Sequence, residues 1–142
     1  MILIAPYSKP LRTGGNNPKN YPYWKELISL IKEEIIQIGT DGEEQLVPEF
    51  RKDLPLGDLR YLIGECRTWI SVDSFFQHLA WDCGKKGIVL FGPSDPLIFG
   101  HPENINLLKD RSYLREKQFW WWEQCEYREE AFVKPAEVLK YL

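Results

Sequence analysis

The sequence predicts an α/β fold, a Rossmann-like and mainly parallel sheet with helices on both faces, from three observations. Short runs dominated by Ile, Leu and Val alternate with longer amphipathic stretches. The short runs are apolar throughout rather than at every second residue, which marks strands buried on both sides. Polar segments rich in Gly or Pro separate them, as turns between strand and helix require. At 142 residues and 44% hydrophobic, the chain can build one sizeable core and is too short for two. Residues 1–142 are therefore expected to form one domain, with 110–142 as a C-terminal extension holding a Trp cluster and a final helix.

The first element, Met1 to Ala5, is an apolar run read as a buried strand, and PYSKPLRTGGNNPKN after it reads as a long loop. Asn20 is placed to cap a helix over residues 22–33. Pro22 suits its first turn, and Trp24, Leu27, Ile28 and Ile31 repeat at helical spacing. EIIQIG reads as a second strand. The acidic turn TDGEE leads to a candidate third, QLVPEF, which Pro48 restricts to an edge or a very short strand. Leu56, Leu59, Leu62 and Ile63 mark a helix from near Pro55. TWISV is then a strand, SFFQHLAWDC a helix closed by Gly84, and KGIVLFG another strand. NINLL is a candidate sixth strand and KPAEVLKYL a final helix with Pro135 near its start, whereas FWWWEQCEY has no decisive period.

Several function classes are disfavoured. A net charge of −3 without a basic stripe gives no footprint for nucleic acid. No apolar segment approaches the roughly 20 residues of a membrane span, and MILIAPYSKP lacks the features of a signal peptide, so a cytoplasmic protein is expected. Cys66, Cys83 and Cys125 form no CxxC pair and read as reduced, mostly buried thiols. His78 and His101 are the only histidines, and neither a metal site nor another cofactor is expected.

The stretch ISVDSFFQHLAWDCG concentrates polar groups where a strand turns into a helix. Ser74 and Gln77 fit a capping box, with Asp73 adding negative charge near the helix's positive end. The same position also suits an anion, because the first-turn N–H groups of a helix point outward. One helix terminus contributes only about 0.3–1 kcal/mol, up to about 2 when partly buried. A millimolar ligand needs roughly −4 kcal/mol, so other groups must converge. Ser8, Lys9, Arg12 and Lys19 lie in the loop after the first strand, and GPSDP (residues 92–96) follows IVLF. Together these loops would open on one sheet edge and suit a diphosphate. A Ser74–His78–Asp73 triad is disfavoured, because the three are crowded into one turn without a nucleophile elbow.

VDSFFQHLAWDCGKKGIVLFGPSDP resembles the motif of the ADP-heptose:lipopolysaccharide heptosyltransferases, glycosyltransferase family 9. That motif runs approximately D-[ST]-G-x-x-H-L-A-x-x-x-G-x-P-x-x-x-x-[FY]-G-x-[ST]-D-P. KNYPYWKELISLI, IGTDGEE and LPLGDLRYLIGEC resemble the preceding family segments, so the likeness spans Met1 to about Asn106. The resemblance implies the donor-binding, C-terminal half of a two-domain GT-B enzyme. It implies Ser8 and Lys19 near the diphosphate, with Lys9 in the same loop, Glu43 or Glu44 near the ribose or base, and Leu54 near the base. Asp73, Ser74, the backbone at Phe75, and His78 would line the sugar-diphosphate region, while Gly92, Ser94 and Asp95 would shape the neighbouring turn. Phe75 departs from the family, which has Gly there.

The expected ligand is thus a nucleotide-diphosphate sugar. No catalytic residue is assigned, since the acceptor and its base would come from a second copy in a homo-oligomer or from a separate acceptor-binding subunit. A non-catalytic nucleotide-binding or interaction module is the alternative. Trp120, Trp121 and Trp122 are compatible with core packing, an interface or a stacking platform for a sugar or base.

Overall fold

A computed structural model describes all 142 residues. Six strands form one sheet: β1 (Ile2–Ala5), β2 (Ile35–Gly39), β3 (Phe50–Lys52), β4 (Thr68–Val72), β5 (Ile88–Phe91) and β6 (Ile105–Leu108). All neighbouring pairs are parallel, in the order β3-β2-β1-β4-β5-β6. This is the doubly wound order, in which the winding reverses beside β1 and leaves a crevice beyond the carboxyl ends of β1 and β4.

Helices α1 (Trp24–Leu30) and α5 (Pro135–Leu139) cover one face of the sheet, and α2 (Leu56–Glu65) and α3 (Phe75–Asp82) the other. A one-turn helix, α4 (Pro96–Phe99), follows β5. Alternate strand residues supply the two cores. Ile2, Ile4, Ile70 and Val72 pack with Trp24, Leu27 and Val138, whereas Leu3, Ala5, Trp69 and Val89 pack with Leu59, Ile63 and Phe76. Each fully buried aliphatic side chain contributes about 1.5–3 kcal/mol relative to exposure. That two-sided burial is why the strands are continuous apolar runs.

Three expectations are corrected by local chemistry. Helix α1 is shorter than residues 22–33 and Asn20 does not cap it; Tyr23 occupies the N-cap without a side-chain bond. Asn20 Oδ1 instead accepts the Ser8 N–H at 2.8 Å and closes the first loop. Within QLVPEF only Phe50 is strand, because Gln37, wholly buried in β2, holds the preceding segment as a loop. The Gln37 side chain donates to the Glu44 carbonyl at 2.8 Å and accepts the Leu46 N–H at 2.7 Å. Among the thiols, Cys66 is buried, while Cys83 and Cys125 are half-buried.

Between β6 and α5 the chain has only short 3-10 turns, Arg111–Tyr113, Trp122–Gln124 and Glu129–Ala131. No helix is long and apolar enough to cross a membrane.

Candidate functional site

Two loops meet at the reversal point. The Ser8 hydroxyl, after β1, donates to the Asp73 carbonyl, after β4, at 2.6 Å. Asp73 is buried and its carboxylate has two partners: Gln77 Nε2 donates to Oδ1 at 2.7 Å, and Lys19 Nζ lies 3.7 Å from Oδ2. This arrangement overturns the capping box expected from Ser74 and Gln77. Gln77 is fully buried, and its amide N–H donates to the neighbouring buried carboxylate instead of reaching back to the cap, while its Oε1 is buried without a partner. Ser74 holds the N-cap position but makes no side-chain cap bond. The first-turn N–H groups of α3 are left without a side-chain acceptor at the edge of a cleft of about 690 Å³.

Ser8, Lys9, Lys19, Ser74 and Phe75 all line that cleft. At its β2 end lie Gly39, Thr40, Glu43, Asp53 and Leu54. Thr40 Oγ1 donates to Glu43 Oε1 at 3.1 Å, while Oε2 is buried without a partner against Gly39. A Cβ at Gly39 would overlap this carboxylate and displace it. Burial pushes the Glu43 carboxyl above the ordinary range, opposed by the Thr40 hydrogen bonds. Glu44, the other acid considered, does not line the cleft; it pairs with Lys25 at 2.7 Å and accepts the Tyr7 hydroxyl at 3.3 Å. Asp53 has φ 50°, a left-handed conformation that Asp tolerates, and its carboxylate accepts the Asp41 N–H at 3.2 Å.

The remaining candidates lie elsewhere. Asp95 accepts the Leu97 N–H at 2.9 Å, capping α4, and takes a bidentate pair from Arg111 at 3.0 and 2.8 Å. The Ser94 hydroxyl is sealed in without a partner, and a Cβ at Gly92 would enter the Phe132 ring. These three build the β5–α4 turn and do not line the cleft. His78 also lies outside it, its Nδ1 2.7 Å from Nε2 of His101, whose ring stacks on Trp81. Phe75 does line the cleft and is 67% exposed, so its ring stays in the space that glycine would leave open.

Sequence reasoning left the Trp cluster open, and the core reading is the one the structure contradicts. None of the three indoles is buried: Trp120 and Trp121 are half exposed, and all three line the cleft beside Arg12 and Glu123. Consecutive Trp residues carry no period from which such a placement could be read. Arg12, which had no evident partner in sequence, places its guanidinium 3.9 Å from the Trp121 ring centre.

The model of glycosyltransferase family 9 (heptosyltransferase) matches residues 13–118. A search of curated proteins found no match. Among solved structures, the glycosyl transferase family 9 from Veillonella parvula DSM 2008 is similar over 99% of this chain and 44% of its own, with 17% identity and a TM-score of 0.69. The dodecameric iron-containing heptosyltransferase TibC in complex with ADP-D-β-D-heptose is similar over 97% of this chain and 36% of its own, with 17% identity and a TM-score of 0.63. The chain thus spans less than half the length of either, and their likeness concerns the fold. No three His, Cys, Asp or Glu side chains here converge to hold a metal ion. The match to most of the sequence, on a six-stranded parallel sheet shared with two such proteins, shows that this chain belongs to glycosyltransferase family 9.

Proposed function

We propose that the chain binds a nucleoside-diphosphate sugar as the donor-side half of a GT-B transferase. The observation that carries this reading is the uncapped first turn of α3, opening on the cleft beside Lys19. Unpaired N–H groups and an ammonium on one concave surface form a diphosphate seat. The nucleoside then extends toward Leu54 and Glu43, which line the cleft at the β2 end. During transfer, negative charge grows on the departing diphosphate, and Lys19 with the α3 N–H groups stabilises it without reorganisation. The acceptor and its base come from outside these 142 residues, and the dodecamer named for TibC supports a second copy as one source. Three unpaired cysteines suit a reducing, cytoplasmic setting.

A second reading, binding without turnover, is favoured by Phe75, whose ring stands where the family has glycine. Titration calorimetry with ADP, GDP, UDP and CDP tests the site itself. One diphosphate should saturate it, and Lys19→Ala should weaken that binding at least tenfold while the protein still unfolds cooperatively. No binding at millimolar ligand, or equal affinity in the variant, would remove the proposal. Incubation of the matching nucleotide sugar with and without acceptor extracts then separates transferase from binding module.

A further inference from the structure

One end of the cleft has no role in that reading. Trp120, Trp121 and Glu123 form it, and all three lie beyond residue 118, where the family match ends. Trp120 and Trp121 are 51% and 50% exposed, an unusual investment of apolar surface on a concave wall.

The wall is held in place from two sides. The Arg115 guanidinium lies 3.5 Å from the Trp122 ring centre and donates to the carbonyls of Trp121 at 2.8 Å, Gln118 at 3.3 Å and Trp120. Gln118 in turn donates to the Pro93 carbonyl at 2.9 Å and accepts the Asp95 N–H at 2.9 Å, which anchors the segment to the β5–α4 turn. On the β1 side, Arg12 stacks on Trp121 and its N–H donates to Glu123 Oε1 at 3.1 Å. The Tyr127 hydroxyl donates to the Asn20 carbonyl at 2.9 Å. A surface tied down this way loses little conformational entropy when a ligand covers it.

We infer that Trp120, Trp121 and Glu123 form a recognition wall for the glycosyl group of the donor. The inference rests on the reading that the cleft takes a nucleoside-diphosphate sugar. With the nucleoside at Glu43 and Leu54 by β2, and the diphosphate at Lys19 and Ser74, the third part of the ligand is left facing the Trp segment. The chemistry matches a sugar ring: its C–H face stacks on an indole, while its hydroxyls need acceptors. Glu123 supplies one, its pKa held below the ordinary range by the Arg12 N–H.

Calorimetry of the full chain distinguishes the wall from the diphosphate seat. ADP, GDP, UDP and CDP are compared with ADP-D-β-D-heptose, ADP-glucose, GDP-mannose, UDP-glucose and CDP-glucose. For the base that binds, at least one sugar conjugate should bind about tenfold tighter than the bare diphosphate. Trp121→Ala should erase that difference with the diphosphate affinity kept within about twofold, and Trp121→Phe should retain most of it. Equal affinity of conjugates and diphosphate in the wild type, or a difference that survives Trp121→Ala, overturns the wall and leaves the diphosphate seat standing. No diphosphate binding at all overturns both.

Discussion

Two turns at the same edge of the sheet use the same residue types to opposite ends. The β4–α3 turn holds Asp73 and Ser74, and the β5–α4 turn holds Ser94 and Asp95 behind Gly92. In the second, Asp95 caps its own helix and is locked by Arg111, so the protein satisfies its own donors. In the first, Asp73 is turned inward by Gln77, Ser74 caps nothing, and the helix donors are left for something else. The same residue types thus build a closed strut at one turn and leave helix donors unused at the other.

The largest effect should come from breaking the closed turn's support. Phe132 is 1% exposed and its ring occupies the space a Cβ at Gly92 would need. Phe132→Ala should lower unfolding free energy by about 3–5 kcal/mol in urea titrations. Asp95→Ala removes a helix cap and a partly exposed ion pair, and about 1–2 kcal/mol is expected. At the open turn the expected signature reverses, with binding responding more than stability. Phe75→Gly tests this directly: diphosphate affinity in calorimetry should rise a few-fold, while the helix loses up to about 1 kcal/mol. Unchanged affinity would mean that the ring does not crowd the phosphates.

Much of the architecture was legible because burial writes itself into composition. TWISV became β4 residue for residue, and IVLF became β5, since both are enclosed on two sides. The third strand was misplaced because its start is set by Gln37, whose side chain ties β2 to residues 44–46 in a way that no strand or helix period records. Site residues divided in the same way. Ser8, Lys19 and Ser74 could be placed at the cleft because strand ends and helix starts are local features. Glu43 could not be separated from Glu44, because their difference is a rotation settled by Thr40 and Lys25. The placement of the Trp cluster along the cleft was invisible because Arg12, which stacks on Trp121, is distant from it in sequence.

The smallest expected effect sharpens the comparison at His78, on α3 and outside the cleft. Its environment comprises His101, the Asp73 carboxylate and Lys19, with Trp81 and Glu103 beside His101. Partial burial and the neighbouring His101 hold the His78 pKa below its ordinary value; Asp73 opposes them, and Lys19 reinforces them. A 2.7 Å contact between ring nitrogens also requires one donor and one acceptor, so protonating both rings breaks it. Because the folded protein binds this proton less readily than the unfolded chain, stability is fully present above about pH 6.5 and is lost as pH falls through the lowered folded value. Urea titrations at pH 7.5, 6.5 and 5.5 should show that loss in the wild type, and His78→Gln should flatten it. Parallel pH profiles in the two proteins would show that the histidine pair does not couple protonation to folding.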